Sequence, residues 1–177
     1  MGQALLLTGQ PGVGKTTVIK QVVQALGTPA GGFYTEELRG PGGRQGFRLV
    51  TLDGQTAILA HVNIRGRRRV GRYGVDVEAL DRVGVAAIKQ ALALQQIVVI
   101  DEVGKMELFS SLFQAAVLQA ISSPCLVIAT VMRKSHVWVN ALQAMPQVTL
   151  WEVTLANRSG LPARVLAWLE KQQEAAR

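Results

Sequence analysis

Gly9-Gln10-Pro11-Gly12-Val13-Gly14-Lys15-Thr16, near the N-terminus, carries the strongest structural signal in the chain. Glycines at 9, 12 and 14 allow a backbone that curls with successive N–H groups pointing inward, through conformations closed to residues that carry a Cβ. A lysine and a hydroxyl residue follow at once. Lys15 can place its ammonium between the β- and γ-phosphates of a nucleotide, and Thr16 can offer its hydroxyl to a magnesium ion. The flanks meet the context such a loop requires. Residues 4–8 are a short apolar run suited to a buried parallel strand, and residues 17–26 carry apolar side chains at helical spacing. A helix starting here turns the positive end of its dipole toward an anion. The reading is a phosphate-binding loop for a nucleoside triphosphate, with Gly9 to Thr17 as the nucleotide-binding residues.

Outward from the loop, the chain alternates between strand-like and helix-like runs. Residues 32–38 and 46–52 read as strands joined by the turn-rich 39–45, and Asp53-Gly54 turns the chain into 56–60. Together they predict an antiparallel meander inserted beside a parallel sheet. Residues 65–73 are expected as a loop, and Asp76 as the N-cap of a helix reaching about residue 94. Residues 97–100 then form a buried strand ending in Asp101-Glu102. A helix over 108–121, a strand over 125–130, a short helix over 137–144, a strand over 148–153 and a terminal helix over 162–174 complete the order. The expected fold class is α/β of the P-loop NTPase type: a mostly parallel sheet with helices on both faces, in one domain over residues 1–177. Residues 9–16, 101–102, 130–134 and 154–158 all follow carboxyl ends of expected strands, the edge of an open α/β sheet where ligands bind.

At 177 residues the chain can bury a core without metals or disulfides. Cys125 is the sole cysteine and His61 and His136 are the only histidines, so neither an intramolecular disulfide nor a zinc cluster can be built. No run approaches the roughly 18 apolar residues of a membrane span. The expectation is a cytoplasmic protein without a membrane partner, and a monomer is favoured. The formal net charge of +7 raises nucleic acid as a partner, and Arg65, Arg67, Arg68, Arg69 and Arg72 form the densest basic cluster. A solvated loop, or a field that attracts a polyanionic nucleotide, accounts for the same cluster. Aromatic residues are not interleaved with these arginines, so a stacking platform for single strands is not visible.

Phosphoryl transfer asks a protein to neutralise the charge of the triphosphate and to hold a nucleophile in line. Asp101, at the end of a buried strand, is the natural partner of a magnesium ion shared with Thr16. Glu102 is the candidate to orient and deprotonate an attacking water, provided that strand alternation, which would turn it away, loses its hold where the strand ends. Lys15 and Glu102 are thus the expected catalytic residues, and Thr16 and Asp101 the expected metal residues. Lys105 and Glu107, in the turn around Gly104, are expected to form an ion pair that shapes the site, or a surface pair, or else Lys105 reaches a phosphate. Arg44, Arg72, Arg133 and Arg158 are the arginines that could stabilise charge, with Arg44 as the candidate charge stabiliser.

Longer segments carry a resemblance. Residues 9–17, Gly32-Phe33-Tyr34-Thr35-Glu36-Glu37-Leu38-Arg39, Arg44-Gln45-Gly46-Phe47, Tyr73-Gly74-Val75-Asp76 and Ile100-Asp101-Glu102-Val103-Gly104-Lys105-Met106-Glu107-Leu108-Phe109 are involved. Through them the chain resembles, nearly end to end, the small nucleoside-triphosphatases that include thermophile enzymes and a cancer-related human enzyme. The resemblance implies a magnesium-dependent enzyme that hydrolyses several nucleoside triphosphates to diphosphate and phosphate with little base preference. It implies the phosphate and magnesium roles for Lys15 and Thr16, the metal-side carboxylate for Asp101, the base for Glu102, and a place by the nucleotide base for Asn157-Arg158. Met132, where a proline is expected, and Ser159, where an acidic residue is common, depart from the pattern.

The residues themselves argue for breadth of substrate. Guanine-specific switch proteins use an Asn-Lys-x-Asp segment after a late strand. Thr154-Leu155-Ala156-Asn157-Arg158-Ser159 offers no carboxylate there, and Arg158 can stack its planar guanidinium on any base. Two other functions stay open on sequence: a small nucleotide or nucleoside kinase, for which residues 65–72 are a weak acceptor lid, and a nucleotide-dependent nucleic-acid-binding switch with the basic cluster as its interface.

Overall fold

A computed structural model describes residues 2–176. Its elements, in order, are β1 (Ala4–Thr8), α1 (Lys15–Ala25), β2 (Ala30–Gly40), β3 (Gly43–Thr51), β4 (Thr56–His61), β5 (Arg69–Val70), β6 (Tyr73–Val75), α2 (Val77–Ala79), α3 (Ala86–Ala93), β7 (Ile97–Val103), α4 (Ser111–Ser122), β8 (Val127–Val131), α5 (Val137–Gln143), β9 (Val148–Glu152) and α6 (Leu161–Ala175). A π-helical stretch, Leu80–Val85, joins α2 to α3 in one rod. Asp76 caps that rod as expected, accepting the Ala79 N–H at 2.9 Å.

Alternation along the apolar runs assigns the helices to the two faces of the sheet. In β1, Leu5 and Leu7 pack with Val18, Ile19 and Val22 of α1 and with Leu161, Val165 and Leu169 of α6. Ala4 and Leu6 face the other way, into the cluster that holds Leu80, Ile88, Phe113, Val117, Ile121, Val139 and Leu142. All four β1 residues are fully buried, as a strand covered on both faces requires.

One nine-stranded sheet runs β5-β6-β4-β3-β2-β7-β8-β1-β9. The expectation of a mostly parallel sheet is corrected here. The β2–β7, β7–β8, β8–β1 and β1–β9 pairs are parallel, whereas β2–β3, β3–β4, β4–β6 and β5–β6 are antiparallel. The cause is the length of β2, at 11 residues about twice an average strand. Ala30 to Phe33 pair with β7, and Phe33 to Gly40 pair with β3. The meander is therefore continuous with the parallel half.

Local differences have local causes. Arg39 pairs with Arg44 and Gly40 with Gly43, so the hairpin turns on Pro41-Gly42 alone, and the strands consume most of the turn-rich segment. The stretch expected as a loop over 65–73 instead runs into the small β5–β6 hairpin, Arg69 to Val75, whose strands are too short to show alternation. A 3₁₀ turn, Glu107–Phe109, precedes α4, whose N-cap is Ser110, accepting from the Phe113 N–H at 2.9 Å. Among the described residues, no helix is long and apolar enough to cross a membrane.

Candidate active site

The segments that leave the parallel strands converge on one cavity of about 1260 Å³. Gly9, Gln10, Pro11, Gly12, Gly14, Lys15, Thr16 and Thr17 line it after β1. Glu102, Lys105 and Glu107 line it after β7, and Met132, Arg133 and Lys134 after β8. Thr35, Glu37, Arg44, Phe47 and Tyr73 close it from β2 and the meander. Asp101 lies beneath the wall at 1% exposure. Val13, Asn157 and Arg158 are not on the wall.

The loop's conformation follows from its glycines. Gly12 and Gly14 have φ of +78° and +109°, the region that a Cβ disfavours, and Gly14 is the N-cap of α1. Val13, between them, turns its side chain into the core under α1. Its carbonyl oxygen accepts from Arg158 Nη1 at 3.2 Å, so the arginine lies across the outside of the loop. Asn157 holds the turn after β9: its Oδ1 accepts from the Thr154 N–H and its Nδ2 donates to the Glu152 carbonyl, both at 2.8 Å. The pair expected near a nucleotide base thus divides its work, with Asn157 shaping the turn and Arg158 reaching the loop.

Lys15 is buried and central. Its Nζ donates to the Gly9 carbonyl at 3.0 Å and stands 3.9 Å from Glu102 Oε2. Thr16 Oγ1 donates to Asp101 Oδ2 at 2.8 Å, a contact between residues 85 positions apart. Two further threonines hold the same carboxylate and were not legible as site residues. Thr130 Oγ1, on β8, donates to Oδ1 at 2.5 Å, and the Thr35 N–H, on β2, donates to Oδ2 at 3.3 Å. Thr130 opens the segment 130–134 that follows an expected strand, and Thr35 lies in one of the segments that carry the resemblance, but nothing in the sequence brings either to Asp101. Burial pushes the Asp101 carboxyl up, against the hydrogen bonds from Thr130, Thr16 and Thr35 and the charge of Lys15.

Glu102 reaches the cavity because alternation fails at the end of β7. The β7–β8 register shifts between Ile100 and Val103, and such bulges re-aim side chains. Burial raises the Glu102 carboxyl above the usual range; Lys15 opposes this and Asp101 adds to it. Lys105 is exposed on the cavity rim. The ion pair expected between Lys105 and Glu107 does not form. Glu107 is instead buried at 4% exposure, with its Oε2 accepting the Gly104 N–H at 3.2 Å. Burial first, and then the charge of Glu102, pushes its carboxyl up to about 8.

The arginines separate by contact. Arg44 faces the cavity, donating from Nε to the Tyr73 hydroxyl and from Nη1 to Glu37 Oε1, both at 3.0 Å, with its guanidinium 5.0 Å from the Phe47 ring centroid. Arg133 also lines the cavity, 3.8 Å from Glu152. Arg72 donates to the Arg44 carbonyl, and Arg69 donates to the carbonyls of Ile64 and Arg72. Two of the five clustered arginines therefore fold the β5–β6 region, which favours a structural reading of that part of the cluster.

A glycine loop opening a helix at the carboxyl edge of a parallel sheet, its threonine bonded to an aspartate two strands away, defines the class of phosphate-loop nucleoside-triphosphatases. A family model described as NTPase matches residues 4–166. The nucleoside-triphosphatase THEP1 of Thermotoga sp. (strain RQ2) is 40% identical, covering 94% of this chain and 95% of its own. The human cancer-related nucleoside-triphosphatase is 36% identical, covering 98% and 100%. The crystal structure of THEP1 from Aquifex aeolicus superposes with a TM-score of 0.87 at 36% identity, over 94% of this chain and 99% of that one. The chain belongs to this THEP1-like family of small P-loop NTPases, and it is an enzyme of that kind.

Proposed function

We propose that the protein hydrolyses ATP, GTP, CTP and UTP, with magnesium, to the diphosphate and phosphate, and that it does so as a monomeric, single-domain cytoplasmic enzyme. The observation that carries this reading is the Glu102 carboxylate, set on the cavity wall 3.9 Å from the Lys15 ammonium and beside the Thr16–Asp101 pair.

The residues divide the reaction among themselves. Lys15 and the N–H groups at the start of α1 bind the β- and γ-phosphates and offset their charge. Thr16 and Asp101 would hold the metal. Their oxygens suit a hard cation, and magnesium takes only one or two protein donors beside water and phosphate oxygens. When bound, magnesium supplies charge stabilisation across the transferring phosphoryl group. Glu102 orients a water and takes its proton as the water oxygen bonds to the γ-phosphorus and the bond to the bridging oxygen breaks. Its raised proton affinity suits that role near neutral pH. Arg44, held by Tyr73 and Glu37, adds positive charge from the meander side, and Lys105 adds it from the rim.

Breadth of substrate follows from what lies by the loop. Asn157 spends both ends of its amide on the backbone, and Arg158 is a planar cation without base preference. The test is product analysis with each triphosphate and magnesium, alone and with nucleosides or monophosphates added. Free phosphate without an acceptor is expected; phosphate appearing only on an added acceptor would make the protein a kinase, and turnover that requires RNA or DNA would make it a switch.

A further inference from the structure

A carboxyl group at 4% exposure needs a physical reason, because removing a charge from water is costly. Glu107 forms no ion pair among the described residues, although Lys105 is two positions away. It reaches back to the Gly104 N–H and closes the turn that carries the chain out of β7, as a glutamate three residues on closes a capping box. The same carboxyl faces Glu102. A Cβ built on Gly104 would stand 2.8 Å from Glu102 Oε1 and 3.1 Å from Glu107 Oε2. The two carboxyls therefore approach the same glycine, and a side chain at position 104 would have to displace the Glu102 carboxyl. The other oxygen of Glu102, Oε2, looks to Lys15 Nζ at 3.9 Å. One Glu102 oxygen thus meets Lys15 and the other lies by Gly104, whose N–H is held by Glu107. Burial, with the charge of Glu102 beside it, pushes the Glu107 carboxyl up to about 8 and so favours its neutral form.

We propose that Glu107 is a positioning residue for Glu102: it fixes the Gly104 turn and backs the Glu102 side chain, so that its carboxylate stays at the Lys15 end of the cavity. The proposal rests on reading Glu102 as the group that orients the water. A glutamate has three side-chain torsions, and without this support its carboxylate swings out of line with the γ-phosphate.

Two substitutions and a cycle test it. Glu107→Met keeps the buried volume and removes the acceptor; Glu107→Gln keeps the shape, the neutral state and an oxygen for the Gly104 N–H. Glu107→Met is expected to lower kcat about 10- to 100-fold, the scale of a misplaced catalytic group, with KM for ATP within about threefold. Glu107→Gln is expected to recover kcat to within about threefold of the native enzyme. In a Glu102→Gln background, Glu107→Met should cost less than about twofold more, because residues that act as one unit are not additive. Gln as inactive as Met would show that the Glu107 carboxyl itself moves a proton, and would overturn the proposal. So would a loss that multiplies in the cycle, or the failure of all Glu107 variants, Gln included, to melt cooperatively. If Glu102→Gln alone leaves kcat intact, the reading of Glu102 fails instead; that outcome is distinguishable because it appears without any change at Glu107.

Discussion

Replacing Asp101 by asparagine should stabilise the protein while nearly abolishing hydrolysis. The carboxylate is 1% exposed and accepts from Thr16 Oγ1, the Thr35 N–H and Thr130 Oγ1. An asparagine carbonyl in the place of Oδ2 keeps the first two donors. Its amide then faces Thr130, whose hydroxyl can turn to accept. The second amide N–H and the turned Thr130 hydroxyl proton must find new acceptors, and three bonds to a charged acceptor become bonds involving a neutral amide, a loss of about 1 kcal/mol each. Against that stands the removal of a buried carboxylate, whose desolvation costs several kcal/mol. The raised proton affinity of Asp101 says which side wins: burial outweighs the three hydrogen bonds and Lys15 together. We expect a net gain of about 1–2 kcal/mol near pH 7, or a Tm rise of about 2–6 °C for a domain of this size.

The pH dependence has a definite sign. With the folded carboxyl raised, the folded state holds its proton longer than the unfolded chain does. The stability associated with Asp101 is complete below the unfolded value and is lost as pH rises through the folded one. The asparagine variant escapes this loss, so its Tm advantage should widen as pH rises above about 4, the ordinary value of an aspartate. Thermal melts without nucleotide or metal, paired with phosphate release from ATP and magnesium, measure both effects. Hydrolysis should fall at least about 100-fold, as when a preorganised charge-stabilising group is removed. A lower Tm at every pH, or a higher Tm with hydrolysis intact, would refute the reasoning.

Lys15→Ala should weaken triphosphate binding by tenfold or more and remove most turnover, since no other loop residue sets a charge between the β- and γ-phosphates; equilibrium binding and phosphate release check it. ATP, GTP, CTP and UTP should have kcat/KM within about tenfold, a spread of roughly 1.4 kcal/mol, measured at one magnesium concentration; a thousandfold preference would reveal a base-reading group. Glu107, raised to about 8 in the fold from an ordinary 4.5, contributes stability in full below the unfolded value and loses it as pH climbs through 8. The urea midpoint should therefore fall between pH 6 and pH 9, and Glu107→Gln should flatten that decline.

The sequence made the phosphate side of this site legible because its signal is local. Gly9 to Thr16 carry their own turn chemistry, and the apolar run 97–100 announces a buried strand ending in Asp101-Glu102. Helices on both faces were legible too, from apolar residues at helical spacing. The other half of the sheet was less so. A β2 strand shared between two neighbours has no signature, since pairing depends on which strand arrives beside it, and β5–β6 is too short to alternate. The residues around Asp101 were hidden for the same reason: Thr35 and Thr130 lie 66 and 29 positions away and meet it only through strand order. Glu107 looked like a surface partner of Lys105, and only the fold of the turn after β7 shows that it is buried.

As the proposed base, Glu102 should act on the water and not on nucleotide binding. Single-turnover phosphate release by Glu102→Gln, alongside equilibrium affinity for ATP, separates the two. Affinity within about threefold of the native enzyme, with the hydrolytic step slowed about 10²-fold or more, is the result expected of a positioned base. A slowing of only severalfold, or a loss of affinity that accounts for the whole effect, would contradict it.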